Sequence, residues 1–464
     1  MSFFLIPISI FVKSITLTSY IPFINQYQIY AYLVLILAVL FKNKLQGEPA
    51  LVDVRSVVNK KILTFTGIVL GLQLIAMVIS HLNIGTNEIN RDPIREFLKV
   101  IIIFICVFFH YILLRLVIIK KEDVYKFIQG SGIALLVLLI ISYVQFLYLL
   151  FPKFFVYAVN FIGTFLEKTS DREWYSAGSY VETTHRINGL NSESGFLAAQ
   201  LLIMFVPFIL AAIKNKTDIF MNNRKYHASL YYILLAGIIV ILFFAKSTTG
   251  ILAILIILFS LWLNISKTKK LITSILLPIC LGAIYTLTFV SPLVRDTLNI
   301  TLLDKFGGVS FQNRFGSTIA LMKTWLTHPV WGVGWNFNDY YVFKYVPQWT
   351  TSNYEYQNIF LPEHYYPILS NFFGWLAIFG TVAIAGIIYY VHLLLKDLRK
   401  ISENNNDSTL NVLKDSAHYF IAFYFIISLF SFNWTDSMYF VMFYFFVVIR
   451  NRYKENWILE GSNK

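Results

Sequence analysis

Long apolar runs recur along the whole chain, separated by short polar stretches that carry most of the charge. A helix needs roughly 20 apolar residues to cross a bilayer core, so each run reads as a candidate span. The pattern predicts about twelve of them, near 3–21, 27–42, 62–81, 97–119, 127–151, 194–213, 230–245, 248–265, 271–290, 367–395, 417–433 and 436–450. The second, seventh and last are short, which implies tilt or local thinning. The predicted class is all-α, a polytopic integral membrane protein.

The charges in the breaks set an orientation. Lys42, Lys44, Arg55, Lys60 and Lys61 fill one break, Lys120, Lys121 and Lys126 another, and Lys214, Lys216, Arg224 and Lys225 a third. Lys267, Lys269 and Lys270, then Lys396, Arg399, Lys400 and Lys414, then Arg450, Arg452 and Lys454 continue the series. These clusters occupy every second break, and the excess of Lys and Arg in cytoplasmic loops then predicts both termini in the cytoplasm. Spans one to five fall in 1–151, six to nine in 194–290, and ten to twelve with a cytoplasmic tail in 367–464. Two long loops, 152–193 and 291–366, lie outside.

Both long loops are rich in Trp, Tyr, Gly and polar residues. In the first, Phe154, Phe155, Tyr157, Phe161 and Phe165 alternate with Lys153, Asn160 and Lys168, the pattern of an interfacial helix. In the second, Phe315, Ile319, Met322 and Leu326 recur at helical spacing and predict a helix over 314–327. His328-Pro329 ends it, because the residue before proline is pushed out of the α region. Gly332 and Gly334 then permit a tight, left-handed turn. Residues 401–409 read as a cytoplasmic loop.

Composition agrees with the pattern: 57% of the residues are hydrophobic, 14% are charged and the mean hydropathy is +0.64, outside the range of a soluble domain. The net charge of +13 would suit a nucleic-acid partner, but its clustering in alternate loops accounts for it without one. Cys106 and Cys280 sit in apolar runs and supply neither a disulfide framework nor a metal site. The N-terminus has no basic leader or small-residue cleavage site, so the first run reads as a retained helix, with Lys13 its one deep charge.

Four polar features at the mouths of spans are candidates for chemistry. Residues 186–195 (Arg-Ile-Asn-Gly-Leu-Asn-Ser-Glu-Ser-Gly) place Glu193 at the start of the sixth span, where an acid either caps the helix or acts. The turn Lys246-Ser-Thr-Thr-Gly250 puts a lysine on the outer side, against the charge bias, to snorkel or to bind. Asn313-Arg314-Phe315-Gly316 precedes His328-Pro-Val-Trp-Gly-Val-Gly334, which reads equally as a surface helix and a turn. Pro362-Glu363-His364 stands ten residues before Gly374, and its histidine is either structural or a base.

In their order along the chain these features resemble the O-antigen polymerase and ligase superfamily, Wzy-type polymerases and their ligase relatives, over about 183–390. The sequence departs from the usual family pattern where Glu193-Ser194-Gly195 replaces Glu-Pro-Ser, and where Thr248-Thr249 stand in place of an arginine. If Lys246 takes that arginine's part, it brings charge without a bidentate fork. The resemblance implies a GT-C-like membrane enzyme of the bacterial cytoplasmic membrane acting on undecaprenyl-diphosphate-linked oligosaccharide. Glu193 is then the first choice for a catalytic base and His364 the second. Arg186, Arg314, Lys246 and Arg172, with His328 and Asn336, would bind diphosphate or glycan.

The outer-loop aromatics Trp325, Trp331, Trp335, Tyr340, Tyr341, Trp349, Tyr354 and Tyr356 serve either as sugar platforms or as an interfacial belt. The sequence contains no Asp-x-Asp triplet of the kind that holds a metal in nucleotide-sugar transferases, so neither metal nor cofactor is expected. A chain-length regulator and a flippase are the expected protein partners, and nucleic acid is not. A ligase acting on a lipid A core shares the donor chemistry and stays open. A transporter for the same lipids does too, although no internal repeat or array of deep charges marks one.

Overall fold

The computed structural model describes residues 60–85, 91–168, 173–220, 227–268, 308–405, 407–430 and 437–455, with a few isolated helical positions besides. The expected spans at 3–21, 27–42 and 271–290, and Lys13 with them, lie outside the described residues. Every regular element among the described residues is helical. In chain order the principal helices are α1 (Lys60–Ile84), α2 (Pro93–Val117), α3 (Lys121–Leu150), α4 (Pro152–Phe165) and α5 (Tyr180–Thr184). There follow α6 (Ser194–Gln200), α7 (Val206–Asn215), α8 (Ala228–Phe244), α9 (Thr248–Asn264) and α10 (Val309–Thr327). The series ends with α11 (Asn338–Tyr345), α12 (Asn371–Asn405), α13 (Ser408–Ser428) and α14 (Ser437–Lys454).

Five stretches among the described residues are long and apolar enough to cross a membrane: Lys60–Ile84, Pro93–Val117, Lys121–Leu150, Ser194–Asn215 and Asn371–Asn405. The apolar helices α8 and α9 are shorter. Their capping follows the sequence. Asp92 accepts from Ile94 N at 2.9 Å and Pro93 opens α2; Ser247 accepts from Gly250 N at 3.0 Å ahead of α9. α12 runs on to Asn405 and α13 begins at Ser408 with Asp407 as its cap, so most of the loop expected over 401–409 is helical.

The chain divides into two compact units, the boundaries falling in α3 after Gly130 and in α10 after Phe311. In one unit, α1, α2 and α10 to α14 pack together. Arg452 on α14 donates to Arg115 O at 3.0 Å and Ile118 O at 3.1 Å, satisfying carbonyls left over at the end of α2. Arg450 lies 4.9 Å from the centre of the Tyr390 ring and donates to its hydroxyl. The basic cluster at the chain's end is thus built into a helix that reaches Lys454, beyond the expected 450.

The other unit has α6 and α7 at its centre. Every residue from Leu197 to Ala212 is buried, as expected of a helix apolar on all sides. A π-helical turn, Leu201–Phe205, joins the two, just before Pro207. Proline cannot donate to the ladder, and a π turn there relieves the mismatch. The helix expected over the first long loop forms as α4, with Phe154, Tyr157, Phe161 and Phe165 exposed and Val159 and Ile162 buried.

Candidate functional site

Two of the four sequence features come together in the unit built on α6. Ile187 N donates to Phe244 O at 3.3 Å, bringing the 186–193 segment to the end of α8. Gly195, in the first turn of α6, has Thr249 Oγ1 as the nearest neighbour its side would meet, at 3.7 Å. The Glu193 end of α6 therefore adjoins the Lys246–Gly250 turn. Glu193 occupies the N-cap position in extended conformation, but its side chain makes no capping hydrogen bond, so capping does not account for it. Lys246 adopts a left-handed backbone, φ 47°, unusual for a long side chain. Arg186 is exposed on the same segment. Arg172 lies outside the described residues.

The segment is held from below by buried amides that the sequence reading missed. Gln145, fully buried on α3, receives Gly189 N at 2.8 Å and presents its amide nitrogen to Gly189 O at 2.9 Å, Asn188 Oδ1 at 2.9 Å and Glu167 Oε1 at 2.8 Å. Asn188 donates to Asn191 O at 2.5 Å, and Asn191 to Gln200 Oε1 at 2.7 Å. Glu167 is itself fully buried and also accepts from Tyr180 N at 3.3 Å. The Tyr175 hydroxyl lies 2.8 Å from both Lys168 O and Ser192 O, between the backbone beside Glu167 and the backbone beside Glu193. Burial first, then the charges of Glu167, Tyr180 and Glu193, push its phenol well above the ordinary value.

In the other unit the His328–Gly334 series fills a break in α12. Gly380, at φ 74° and ψ 176°, interrupts that helix. The freed carbonyls accept from Val333 N (to Ala377 O, 2.8 Å) and Gly334 N (to Ile378 O, 3.1 Å). The freed amides donate back, Thr381 N to Pro329 O at 2.8 Å and Val382 N to Val330 O at 3.3 Å. Gln73 and Ser80 of α1 bind Ile378 O at 2.9 Å and Val333 O at 2.7 Å. Only glycine fits such an approach: a Cβ at Gly332 would stand 2.5 Å from Ala377 O, and one at Gly380 2.5 Å from Trp331 Cα. Beside the break an apolar groove of about 270 Å³ is lined by Trp325, Phe372, Phe373, Leu376, Thr381 and Ile384 among others.

Of the remaining candidates of this unit, His328, Asn336 and Arg314 have structural occupations. His328 Nδ1 faces Thr327 Oγ1 at 3.0 Å and Thr324 O at 3.3 Å, its ring packs edge-on to Tyr341, and burial together with the charge of Lys344 lowers its pKa. Asn336, left-handed at φ 62°, donates to buried Glu96 at 2.6 Å. Arg314 donates to Phe430 O at 2.7 Å, while its neighbour Asn313 is tied to Glu355 and Asn353, each at 2.7 Å. His364 sits exposed in a turn at φ 47°. The helix expected over 314–327 forms as α10, which begins five residues earlier at Val309, but Phe315, Met322 and Leu326 are on its exposed face, and Asn313, Ser317, Ala320, Leu321 and Thr324 are among its buried residues. A half-buried ion pair also went unforeseen: Arg91 to buried Asp339, 2.7 Å, with the Asp339 carboxyl pushed up to about 6 by burial against the pull of Arg91.

No protein-family model, curated protein or solved structure matches this chain. Among the described residues no group of three or more His, Cys, Asp or Glu is arranged to hold a metal ion.

Proposed function

We propose that this protein is a glycosyltransferase of the bacterial cytoplasmic membrane that polymerises undecaprenyl-diphosphate-linked oligosaccharide repeats on the outer face, without a metal. The observation that carries the reading is the meeting of the Glu193 end of α6 with the Lys246 turn, which brings the segment bearing Arg186 and a carboxylate not used as a cap beside the turn bearing Lys246. Glu193 takes the proton of an acceptor sugar hydroxyl. The oxygen attacks the anomeric carbon of the donor, the bond from that carbon to the diphosphate oxygen breaks, and undecaprenyl diphosphate departs with the electron pair. Lys246 and Arg186 stabilise the charge gathered on the leaving group, an effect that grows where water is sparse.

The break in α12 also favours a second reading, a transporter for the same lipid-linked glycans, since many transporters form their substrate sites from discontinuous helices. Against it, the peptide groups freed at Ala377, Ile378, Thr381 and Val382 bond to the 329–334 segment and Gln73, and so are not left to coordinate cargo. Purified protein reconstituted with one defined undecaprenyl-diphosphate-linked repeat should build a glycan ladder, and Glu193→Gln, inserted normally, should lose at least about a hundredfold in rate. A ladder appearing only when a lipid A core is supplied would make the protein a ligase. Movement of the lipid across the bilayer with no glycan transfer would establish the transporter.

A further inference from the structure

Arg115 lies in the last turn of α2 with almost none of its side chain exposed, yet among the described residues only one of its guanidinium nitrogens has a partner. Nη2 donates to the Glu455 carboxylate, while Nε and Nη1 are buried and make no hydrogen bond. Unpaired donors on a buried charge are costly, and such groups are ordinarily satisfied by protein, water or a ligand. A guanidinium is best gripped along an edge, by two acceptor oxygens on two neighbouring nitrogens. Glu455 takes a single nitrogen, so both edges that include Nη2 are half used. A second guanidinium stands at the same carboxylate. Arg452 of α14 is fixed by its donations to Ile118 O and Arg115 O, and its Nη1 is 3.8 Å from the Glu455 oxygen. Other charges nearby are engaged: Lys454 pairs with Asp397 at 2.6 Å, Arg450 bonds to Tyr390 and Asn451, and Asp123 accepts from Ile119 N and Lys120 N. Glu455 itself closes the site loosely, with 42% of its side chain exposed.

We propose that Arg115 and Arg452 form a binding site for the phosphate of an anionic lipid headgroup, with Glu455 as the carboxylate it displaces. The proposal is independent of glycosyl transfer. The Glu455 backbone N–H is held by Asn451 O and Arg452 O, so its side chain can swing away while the end of α14 stays in place. A phosphate in its stead has oxygens enough to span an edge of Arg115 and still reach Arg452 Nη1. The position of the site argues for a lipid as the source. α2 is long and apolar enough to cross a membrane, Arg115 is in its final turn, and exposed Ile119 lies just beyond. The alternation of basic clusters assigns this end of α2 to the cytoplasm, where anionic lipids are concentrated and basic pockets between spanning helices bind their headgroups.

The test is binding of phosphatidylglycerol to the full chain in neutral detergent micelles, read by native mass spectrometry and by the rise in thermal midpoint, with phosphatidylcholine and inorganic phosphate as separate arms. Wild type should retain phosphatidylglycerol and gain stability from it, and neither of the other two at equal concentration should match the effect. Glu455→Gln removes the competing charge, so phosphatidylglycerol should bind about fivefold tighter. Glu403→Gln, which takes an equal charge from the exposed end of α12, should leave binding unchanged. Arg115→Lys keeps the charge but loses the fork and should bind about tenfold more weakly. If Arg115→Lys does not assemble as a monodisperse protein, the two glutamine variants decide. A Glu455→Gln protein that binds no tighter than wild type, or a Glu403→Gln protein that gains as much, overturns the proposal, since a merely structural ion pair has no ligand to admit. Equal stabilisation by inorganic phosphate or by phosphatidylcholine overturns the assignment to an anionic lipid.

Discussion

The two units hold their candidate segments by different means. Around Glu193 the holding is done by side chains: one buried amide, Gln145, grips both the N–H and the carbonyl of Gly189 and the side chains of Asn188 and Glu167. Around Gly380 it is done by backbone, with four backbone hydrogen bonds between 329–334 and 377–382 and glycines where the segments touch. Side-chain clamps tolerate graded change, because one partner can be exchanged for another. A backbone splice has no such latitude, since the groups it satisfies are otherwise orphaned in an apolar setting.

That contrast predicts its largest effect at Gly380. Alanine there must adopt a backbone region that is nearly exclusive to glycine and push into Trp331, together about 3–5 kcal/mol. Gly380→Ala should give the lowest thermal midpoint of any single substitution in this set, measured in detergent micelles, and a midpoint like wild type would show that the splice yields. Gln145→Leu is expected to cost less, about 2–3 kcal/mol, because it strands the Gly189 N–H and withdraws one of the partners of Glu167 without rebuilding the backbone. A Gln145→Leu protein as damaged as Gly380→Ala would erase the distinction between clamp and splice.

The ion pair of the splice unit offers a milder probe. Asp339 has its carboxyl raised to about 6 against an ordinary 3.8, so between those values the folded protein binds a proton that the unfolded chain does not. Its contribution is therefore complete below about pH 4 and declines as pH rises through about 6, by roughly 2 kcal/mol at most once the solvent exposure of Arg91 is allowed for. Asp339→Asn should flatten that part of the stability profile, measured by thermal unfolding at stepped pH. The same slope in the variant would place its origin elsewhere.

Much of the helical architecture could be read from hydropathy alone, because a span announces itself locally. The helix expected over 314–327 and its end at His328-Pro329 were equally local, and the structure has that end at Thr327 with a start five residues earlier, at Val309. The splice was not legible in the same way: Phe379-Gly380-Thr381 sits in an apolar run that reads as continuous helix, and the groups that replace its lost bonds come from the other side of a loop. Gln145 looked like an isolated polar residue in a span, since Glu167, Asn188 and Gly189 lie far along the chain. Arg91 and Asp339, separated by 248 positions, carry no mutual signal in a single sequence. The proposed roles of Glu193 and Lys246 came from their order along the chain, whereas their adjacency came only from coordinates.

Lys246 supplies the smallest effect and the sharpest separation of stability from use. Its left-handed backbone disfavours any side chain with a Cβ by about 1–2 kcal/mol relative to glycine. If the residue served the turn alone, glycine would be the better occupant, by about 0.5–1 kcal/mol after the added freedom of the unfolded chain is counted. Lys246→Gly should therefore raise the thermal midpoint slightly while slowing glycan transfer several-fold, the pattern of a strained residue kept for its charge. Restoring charge with Lys246→Arg should recover transfer and return the strain. A glycine variant that is both steadier and fully active would reduce the lysine to an ornament of the turn, leaving Arg186 as the charge on that segment to stabilise the departing diphosphate.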